Sequence, residues 1–181
     1  MRAILEDAGY RVIDSGIEKV LRELSCLSSL EYNALGYPDA MSYLPDFTVM
    51  DRGQKEKILV EVKYRSKWDK KIFDEVQEQV RIFGEMVLVS VNATATNPRE
   101  LDSPGRFLRC CRLKFDGEIY KVEIRKGSKD FKWKDVDSVH NGPALWWSMT
   151  PLQEKFDKLS TETDGKTLSA AISAIAGIVT Q

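Results

Sequence analysis

The chain has 181 residues, 43% of them hydrophobic and 30% charged, which predicts one domain with a buried core and at most a small appendage. The net charge of −1 excludes a polycation, so any nucleic-acid binding must depend on a local basic patch. Three cysteines without CxxC spacing argue against a disulfide framework or a zinc site, and with no predicted signal peptide or transmembrane stretch they indicate a cytoplasmic protein without membrane contact.

The N-terminal part of the chain predicts two helices separated by a short extended piece. Residues 1–9 form the first helix and residues 10–13 the extended piece. Ser15 and Glu18 have the capping-box spacing, in which the serine caps a helix and the glutamate reaches back to its amide, so a firmer helix begins there. Residues 31–43 are interpreted as a strand or extended arm that leads into the next element.

Residues 43–65 predict a β-hairpin, because two apolar-rich runs flank a polar turn centred on residues 53–54. This turn sets Asp46 directly opposite Glu61, with their Cβ atoms about 4.5–5.5 Å apart, where two like charges repel. Lys63 lies on the same face as Glu61, since the side chains of a strand alternate. Two acids and a lysine on one face predict a divalent metal site; the alternative is a solvated face with a cross-strand salt bridge.

Residues 68–83 predict a helix, and residues 86–91 predict an apolar strand that suits the centre of a sheet. A strand, a helix and a further strand in this order imply a parallel crossover, so the sheet is expected to be mixed. Gln79 falls near the middle of the helix's apolar face, where a glutamine needs hydrogen-bond partners. Gln79 is either part of a functional site or only the hydrogen-bond partner of a buried backbone group.

Residues 107–124 predict a second hairpin that turns at the Asp-Gly pair at 116–117, a dipeptide typical of a type I′ turn. One face of this hairpin is apolar, and the opposite face carries Arg112 and Lys114. Cys110 is expected to be partly exposed. The predicted register pairs Phe115 with Glu118, Leu113 with Tyr120 and Cys111 with Val122.

The C-terminal residues 145–159 and 167–180 are predicted to be helical. The chain is therefore divided into an α/β domain at residues 1–140, with its core at residues 15–92, and a helical extension at residues 141–181. The last segment is rich in alanine and isoleucine, which is consistent with packing on the domain or on a second subunit.

Part of this pattern resembles a known family through three features: Pro45-Asp46 on one strand, Glu61-Val62-Lys63 on the next, and an inward Gln79 on the following helix. In residues 15–92 the sequence resembles the PD-(D/E)xK nuclease superfamily. The resemblance implies a restriction-endonuclease-like core with a mixed central β-sheet flanked by helices. To this core the chain adds a β-hairpin and C-terminal helices.

The same resemblance implies a role for each residue of the hairpin motif. Asp46 and Glu61 would ligate Mg²⁺ or Mn²⁺, with the backbone carbonyl of Val62 as a further ligand. Lys63 would orient or activate the attacking water and stabilise charge on the phosphate. Mg²⁺ usually needs only one or two carboxylates together with substrate phosphate oxygens, and this pair supplies that number.

Two further catalytic candidates, Glu18 and Gln79, lie outside the hairpin. Glu18 matches the acidic residue that many members of the family place on the first core helix, but its capping-box position also explains it. Gln79 looks like the family's glutamine motif, in which Phe83 here replaces a tyrosine, so a hydroxyl role at that position is absent.

A cluster of basic residues that includes Arg65, Lys67 and Lys70 surrounds the expected metal site and is a candidate for phosphate contacts with DNA, Arg65 and Lys67 first. Arg112 and Lys114 form a second candidate surface on the later hairpin. Acidic residues interleave with the first group, so a solvated surface is the alternative.

The sequence therefore predicts a Mg²⁺-dependent deoxyribonuclease, expected to be an endonuclease, with DNA preferred over RNA as substrate. A homodimer or a larger complex would suit double-strand cleavage. The alternative is a non-cleaving DNA- or protein-binding module that keeps the nuclease fold within a larger nuclease or transposition complex. An RNA-processing member of the same fold is a third hypothesis.

Overall fold

A computed structural model of the protein describes residues 1–16, 27–35, 39–51, 53, 55–65, 68–92, 108–127 and 130–160. Its strands are β1 (Arg11–Asp14), β2 (Phe47–Met50), β3 (Lys57–Arg65), β4 (Met86–Asn92), β5 (Leu108–Asp116), β6 (Ile119–Lys126), β7 (Asp130–Asp135) and β8 (Thr150–Pro151). Its helices are α1 (Arg2–Asp7), α2 (Ser29–Ala34), α3 (Asp39–Ser42), α4 (Lys71–Glu75), α5 (Gln77–Phe83), α6 (Ala144–Ser148) and α7 (Asp157–Ser160). Short 3₁₀ turns lie at Val136–Ser138 and Leu152–Glu154.

Within the described ranges, eight strands form one open sheet in the order β1-β2-β3-β4-β5-β6-β7, and β8 pairs with β5. Strands β3 and β4 are parallel, whereas the other pairs are antiparallel. The parallel pair needs a crossover, which α4 and α5 supply. The fold is α/β with a mostly antiparallel, mixed sheet, and the predicted mixed sheet is confirmed.

The predicted register of the first hairpin is confirmed. Phe47 pairs with Val60, so the residues that follow in the register, Asp46 and Glu61, stand opposite one another. The helix predicted at residues 68–83 is present, but it is interrupted at Val76, where α4 ends and α5 begins.

Each face of the sheet has its own hydrophobic core. On one face, α4, α5 and α6 cover apolar strand residues that include Leu59, Leu88 and Leu113. On the other face, α1 and residues 152–159 cover a second set that includes Val60 and Val89. Neighbouring strand residues alternate between the two cores, and each fully buried aliphatic or aromatic side chain contributes roughly 1.5–3 kcal/mol to folding.

The strand or arm predicted at residues 31–43 is wrong, because this segment contains helices α2 and α3. Ser28 and Glu31 form the capping box of α2: the Ser28 N–H donates to Glu31 Oε2 over 2.8 Å, and the Glu31 N–H donates to Ser28 Oγ over 3.4 Å. The spacing of these two residues was a helix signal in the sequence. The strand that pairs with β2 is instead β1.

The second hairpin is present, but its predicted register is wrong by two residues. Phe115 pairs with Tyr120, and Asp116 remains in the strand opposite Ile119. The turn therefore lies at Gly117 and Glu118, where Gly117 takes the positive φ of +61° that a two-residue hairpin turn requires. A shift of two keeps every side chain on its predicted face, so Arg112 and Lys114 still lie opposite the apolar face.

Cys110 is fully buried, not partly exposed as predicted. It pairs with Thr150 of β8 and packs with Leu152 in the second core, so residues far along the chain cover it. Burial raises the pKa of the Cys110 thiol to about 12. Strand β7 was not predicted, although in its sequence the aromatic residues Phe131 and Trp133 alternate with charged residues.

The C-terminal residues contribute to both cores. Leu145 and Trp146 belong to the core beneath α4 and α5, and Leu152 and Phe156 belong to the core beneath α1. The segment predicted as one helix at residues 145–159 consists of α6, β8, a 3₁₀ turn and α7. The helices predicted to begin at Ser15 and at residue 167 lie outside the described residues. No helix in the described part of the chain is both long and apolar enough to span a bilayer.

Candidate active site

The residues of the hairpin motif, Asp46, Glu61 and Lys63, meet where β2 begins, beside the middle of β3. Asp46 immediately precedes β2, whereas Glu61 and Lys63 lie in the middle of β3. All three line a cavity of about 330 Å³. The other described residues of its wall are Asp14, Gly16, Ser42, Tyr43, Leu44, Phe47, Glu75 and Gln79.

Backbone hydrogen bonds hold Asp46 from two sides. The Val62 N–H donates to Asp46 Oδ2 over 2.9 Å. The Ser15 N–H donates to the Asp46 carbonyl oxygen over 3.0 Å, which joins the end of β1 to the same point. A Cβ atom built on Gly16 would lie 3.7 Å from Asp46 Oδ1, so the chain approaches this carboxylate closely. Asp46 therefore presents a carboxylate in a fixed position.

Pro45 has no N–H, so it cannot donate a hydrogen bond to the carbonyl of Val62, the residue opposite it on β3. Continuing the register two residues beyond the pair of Phe47 and Val60 sets Pro45 opposite Val62. The N–H and C=O of one strand residue point to the same neighbouring strand, and the Val62 N–H points to Asp46. The Val62 carbonyl therefore points to the side where proline has no N–H to donate to it.

Glu61 is buried, with 4% of its surface exposed, and both of its carboxylate oxygens have partners. Oε2 accepts hydrogen bonds from the Asp46 N–H over 3.2 Å and from Gln79 Nε2 over 3.1 Å. Oε1 forms an ion pair with Lys63 Nζ over 2.7 Å. Because a buried carboxylate is costly unless it is paired and hydrogen-bonded, these contacts stabilise Glu61 inside the domain.

Gln79 reaches the site from α5, on the helix face where the sequence placed it. Only 6% of the residue is exposed, and its amide nitrogen donates to Glu61. Its Oε1 atom is buried and has no hydrogen-bond partner. An unsatisfied buried acceptor costs about 1–3 kcal/mol, so this atom marks a place where a donor is missing.

The cavity wall is dominated by acids. It carries carboxylates at Asp14, Asp46, Glu61 and Glu75, whereas Lys63 is the basic residue among the described residues that line it. This balance repels a phosphodiester on its own and attracts a divalent cation.

Asp14 is a residue of the cavity that sequence reasoning missed. It ends β1 opposite Phe47, and its Oδ1 atom is buried without a hydrogen-bond partner, while Oδ2 contacts Arg2. An acid at the end of a short strand is a weak sequence signal, because the strand that it pairs with is not visible locally.

Arg65 and Lys70, predicted as DNA contacts, are not among the described residues that line the cavity. The Arg65 guanidinium pairs with Glu75, which lies on the cavity wall. Lys70 Nζ donates to the Asp137 carbonyl over 3.1 Å, and its N–H donates to Asn141 Oδ1 over 3.0 Å, so Lys70 fastens the start of α4 to a loop. Glu18 and Lys67 lie outside the described residues.

Arg112 and Lys114 are not brought to the site, because they lie on the opposite face of the sheet. Lys114 Nζ lies 4.4 Å from the centre of the Trp133 ring, and the Arg112 guanidinium lies 5.4 Å from it. Arg112 also contacts Glu85 and Glu123.

A larger cavity of about 550 Å³ lies at the other end of β3 and β4. It contains Arg112 but none of the residues of the hairpin motif. Its wall carries equal numbers of acidic and basic side chains, namely Glu56, Glu85 and Glu154 with Lys57, Arg112 and Lys155. The smaller cavity is therefore the better candidate for metal chemistry.

The residues of the smaller cavity fit a divalent cation. Two carboxylates and a backbone carbonyl are the hard oxygen ligands that Mg²⁺ takes in proteins, and Gln79 adds an orphaned acceptor beside them. Among the described residues, no group of three His, Cys, Asp or Glu side chains could hold a metal ion, so a cation here would have only Asp46 and Glu61 as carboxylate ligands from this set. Comparisons of the chain with protein-family models, with curated proteins and with solved structures found no match.

Proposed function

We propose that the protein is a Mg²⁺- or Mn²⁺-dependent deoxyribonuclease that hydrolyses phosphodiester bonds at this cavity. The observation that carries the proposal is the convergence of Asp46, buried Glu61 and Lys63 on one acid-dominated cavity. A lone surface salt bridge would not require a buried glutamate with partners on both oxygens. The residue types, their burial and their order along the hairpin all agree with hydrolytic metal chemistry.

In this proposal Asp46, Glu61 and the Val62 carbonyl would hold the cation. When bound there, it would supply a nucleophilic water at neutral pH and offset charge on the scissile phosphate. Lys63 orients that water and stabilises charge on the phosphate oxygens, since its ammonium already lies on the cavity wall. Gln79 and the backbone amides of Asp46 and Val62 keep the two carboxylates in position.

We infer further that the core has the restriction-endonuclease-like topology. Support comes from the order β1, β2, β3, crossover helices and β4, with three antiparallel strands followed by one strand parallel to β3. Helices α2 and α3 are then an insertion between β1 and β2. Pairing of β5, β6 and β7 extends the sheet beyond this core.

DNA would reach the cavity past Arg65, whose guanidinium pairs with Glu75 of the cavity wall. A phosphate would therefore have to compete with that carboxylate for the guanidinium. Arg112 and Lys114 lie on the opposite face, so a duplex lying in the cavity would not contact them without wrapping around the sheet edge. The proposal therefore gives Arg65 the first phosphate contact.

The test is a cleavage assay with purified protein in Mg²⁺ or Mn²⁺. Substrates are supercoiled, linear, single-stranded and branched DNA, with RNA of one matching sequence. We expect Lys63→Met to lower the cleavage rate by about 10²–10⁴-fold, the range for loss of a positioned proton-transfer group, and Asp46→Asn to abolish cleavage. Lys132→Met, on exposed β7, is the matched control and should leave the rate unchanged. Full activity of both site variants would overturn the proposal.

A non-cleaving DNA- or protein-binding module is the second candidate. It is favoured by one observation, that no group of three His, Cys, Asp or Glu side chains among the described residues could hold a metal ion. The two functions differ in metal binding, because the nuclease must bind Mn²⁺ through Asp46 and Glu61. Calorimetry that detects no Mn²⁺ binding, even with DNA present, would favour the module.

A further inference from the structure

The two carboxylate oxygens of Glu61 differ in their hydrogen-bond partners. Oε2 accepts two hydrogen bonds, from the Asp46 N–H and from Gln79 Nε2, which occupy both of its lone pairs. Among the described residues, the partner of Oε1 is the Lys63 ammonium alone, at 2.7 Å. Oε1 is therefore the oxygen of Glu61 with room for a cation.

Lys63 cannot remain in place once a cation binds that oxygen. An ammonium and a divalent cation on one oxygen would lie about 4 Å apart, where like charges repel strongly. Lys63 must then find another acceptor near the cavity, because a lysine ammonium that loses its partner in a partly buried site is destabilised. Its side chain is 27% exposed, so it is only partly solvated.

Two acceptors without a hydrogen-bond partner among the described residues lie on the wall of the same cavity, Gln79 Oε1 and Asp14 Oδ1. Asp14 is already paired with Arg2 through its other carboxylate oxygen. Gln79 Oε1 is buried, has no hydrogen-bond partner, and belongs to the amide whose nitrogen is fixed to Glu61. The amide thus offers its donor to the glutamate and its acceptor to the cavity into which Lys63 also projects.

We propose that Gln79 is a positioning residue that accepts Lys63 when the cation takes Glu61 Oε1. This inference rests on the proposed function. Gln79 Nε2 holds Glu61 Oε2, so that Oε1 faces the cation, and Gln79 Oε1 receives the displaced ammonium. Cation binding thereby moves Lys63 from a pairing role with Glu61 to a position from which it acts on water and phosphate.

Ser90 is the competing acceptor. It lies beside Lys63 on β4, is fully buried, and its Oγ has no hydrogen-bond partner. It differs from Gln79 in that it is not one of the described residues of the cavity wall and forms no hydrogen bond with Glu61. Ser90→Ala is therefore the matched control for loss of an unpartnered buried acceptor next to Lys63.

The test is a double-mutant cycle in Mn²⁺ affinity, read from the electron paramagnetic resonance signal of free Mn²⁺. In the parent protein, Gln79→Met should weaken Mn²⁺ binding by about tenfold, because Lys63 keeps its hold on Glu61. In the Lys63→Met background, which has no competing ammonium, Gln79→Met removes only the hydrogen bond that holds Glu61 and should weaken Mn²⁺ binding clearly less than it does in the parent protein. Ser90→Ala should leave the affinity unchanged in both backgrounds.

Each other result overturns the inference in a distinguishable way. Equal weakening by Gln79→Met in both backgrounds would show that Gln79 only holds the Glu61 side chain. A tenfold effect of Ser90→Ala would identify Ser90 as the acceptor. A parent protein that cleaves DNA but gives an additive cycle would overturn this inference alone, whereas a parent that neither binds Mn²⁺ nor cleaves would overturn the proposed function with it.

Discussion

At the scale of single residues, the geometry of the candidate site depends on which side chains and backbone amides can donate hydrogen bonds to the two carboxylates. Asp46 receives the Val62 N–H, Glu61 receives two N–H groups and an ammonium, and Pro45 donates nothing. The polar turn and the two flanking apolar runs are sufficient to predict that Asp46 stands opposite Glu61. They do not predict that Glu61 is buried, since burial depends on the helices that cover the strand.

Pro45 offers a test of the Val62 carbonyl as a metal ligand. In Pro45→Ala the new amide N–H can pair with that carbonyl and extend β2 by two residues. We expect the fold to persist and Mn²⁺ binding to weaken by about tenfold, the effect of disturbing groups around a metal site. Titration of Mn²⁺ against the variant measures this, with Pro143→Ala at the exposed start of α6 as control. Unchanged affinity would exclude the carbonyl as a ligand.

At the scale of elements, two hairpins show how far local sequence reaches. The first register was predicted correctly, because the observed pairing is the one that follows from a turn centred between residues 53 and 54. The second was displaced by two residues, since the Asp-Gly pair was interpreted as the turn, whereas Gly117 and Glu118 form it. Both registers bury the same face, so hydrophobic pattern alone does not separate them.

Gly117 should therefore be the sensitive position of the second hairpin. Its φ of +61° is strained for an alanine, so Gly117→Ala should lower the free energy of unfolding by about 1–2 kcal/mol. Gly117→Asn should cost less, because asparagine tolerates this conformation better. Urea denaturation gives both values, and Glu118→Ala, at an exposed neighbouring side chain, serves as control. Equal losses for alanine and asparagine would contradict the assigned turn.

At the scale of the whole molecule, the two ends of the described chain meet on one face of the sheet. The Tyr10 hydroxyl donates to Asp157 Oδ1 over 2.6 Å and accepts from the Lys158 N–H over 3.3 Å. The Tyr10 ring also packs edge-to-face on Phe156. Burial raises the pKa of Tyr10, so the phenol remains a donor at neutral pH, and its hydrogen bond lowers the pKa of Asp157.

This contact predicts a pH-dependent contribution to stability. Tyr10→Phe keeps the ring but removes the donor, and because Asp157 is exposed the loss should be only about 0.5–1 kcal/mol at neutral pH. Since folding lowers the pKa of Asp157, the contribution is complete above the ordinary value of 3.8 and is lost as pH falls below it. Chemical denaturation of both proteins at neutral and acidic pH should therefore give curves that converge in acid. A difference that persists below that range would exclude Asp157 as the partner.

The sequence by itself determined the mixed sheet, the first hairpin with its facing acids, and the inward glutamine of the crossover helix. These follow from periodicity and turn chemistry, which act between neighbours in the chain. Only the tertiary structure decided that β1 pairs with β2, that Asp14 lines the cavity, and that residues 144–159 complete both cores. It also decided that Arg112 and Lys114 lie on the face opposite Glu61. The physical reason is that strand partners and covering layers are set by burial of apolar surface between segments far apart in sequence, which local patterns do not encode.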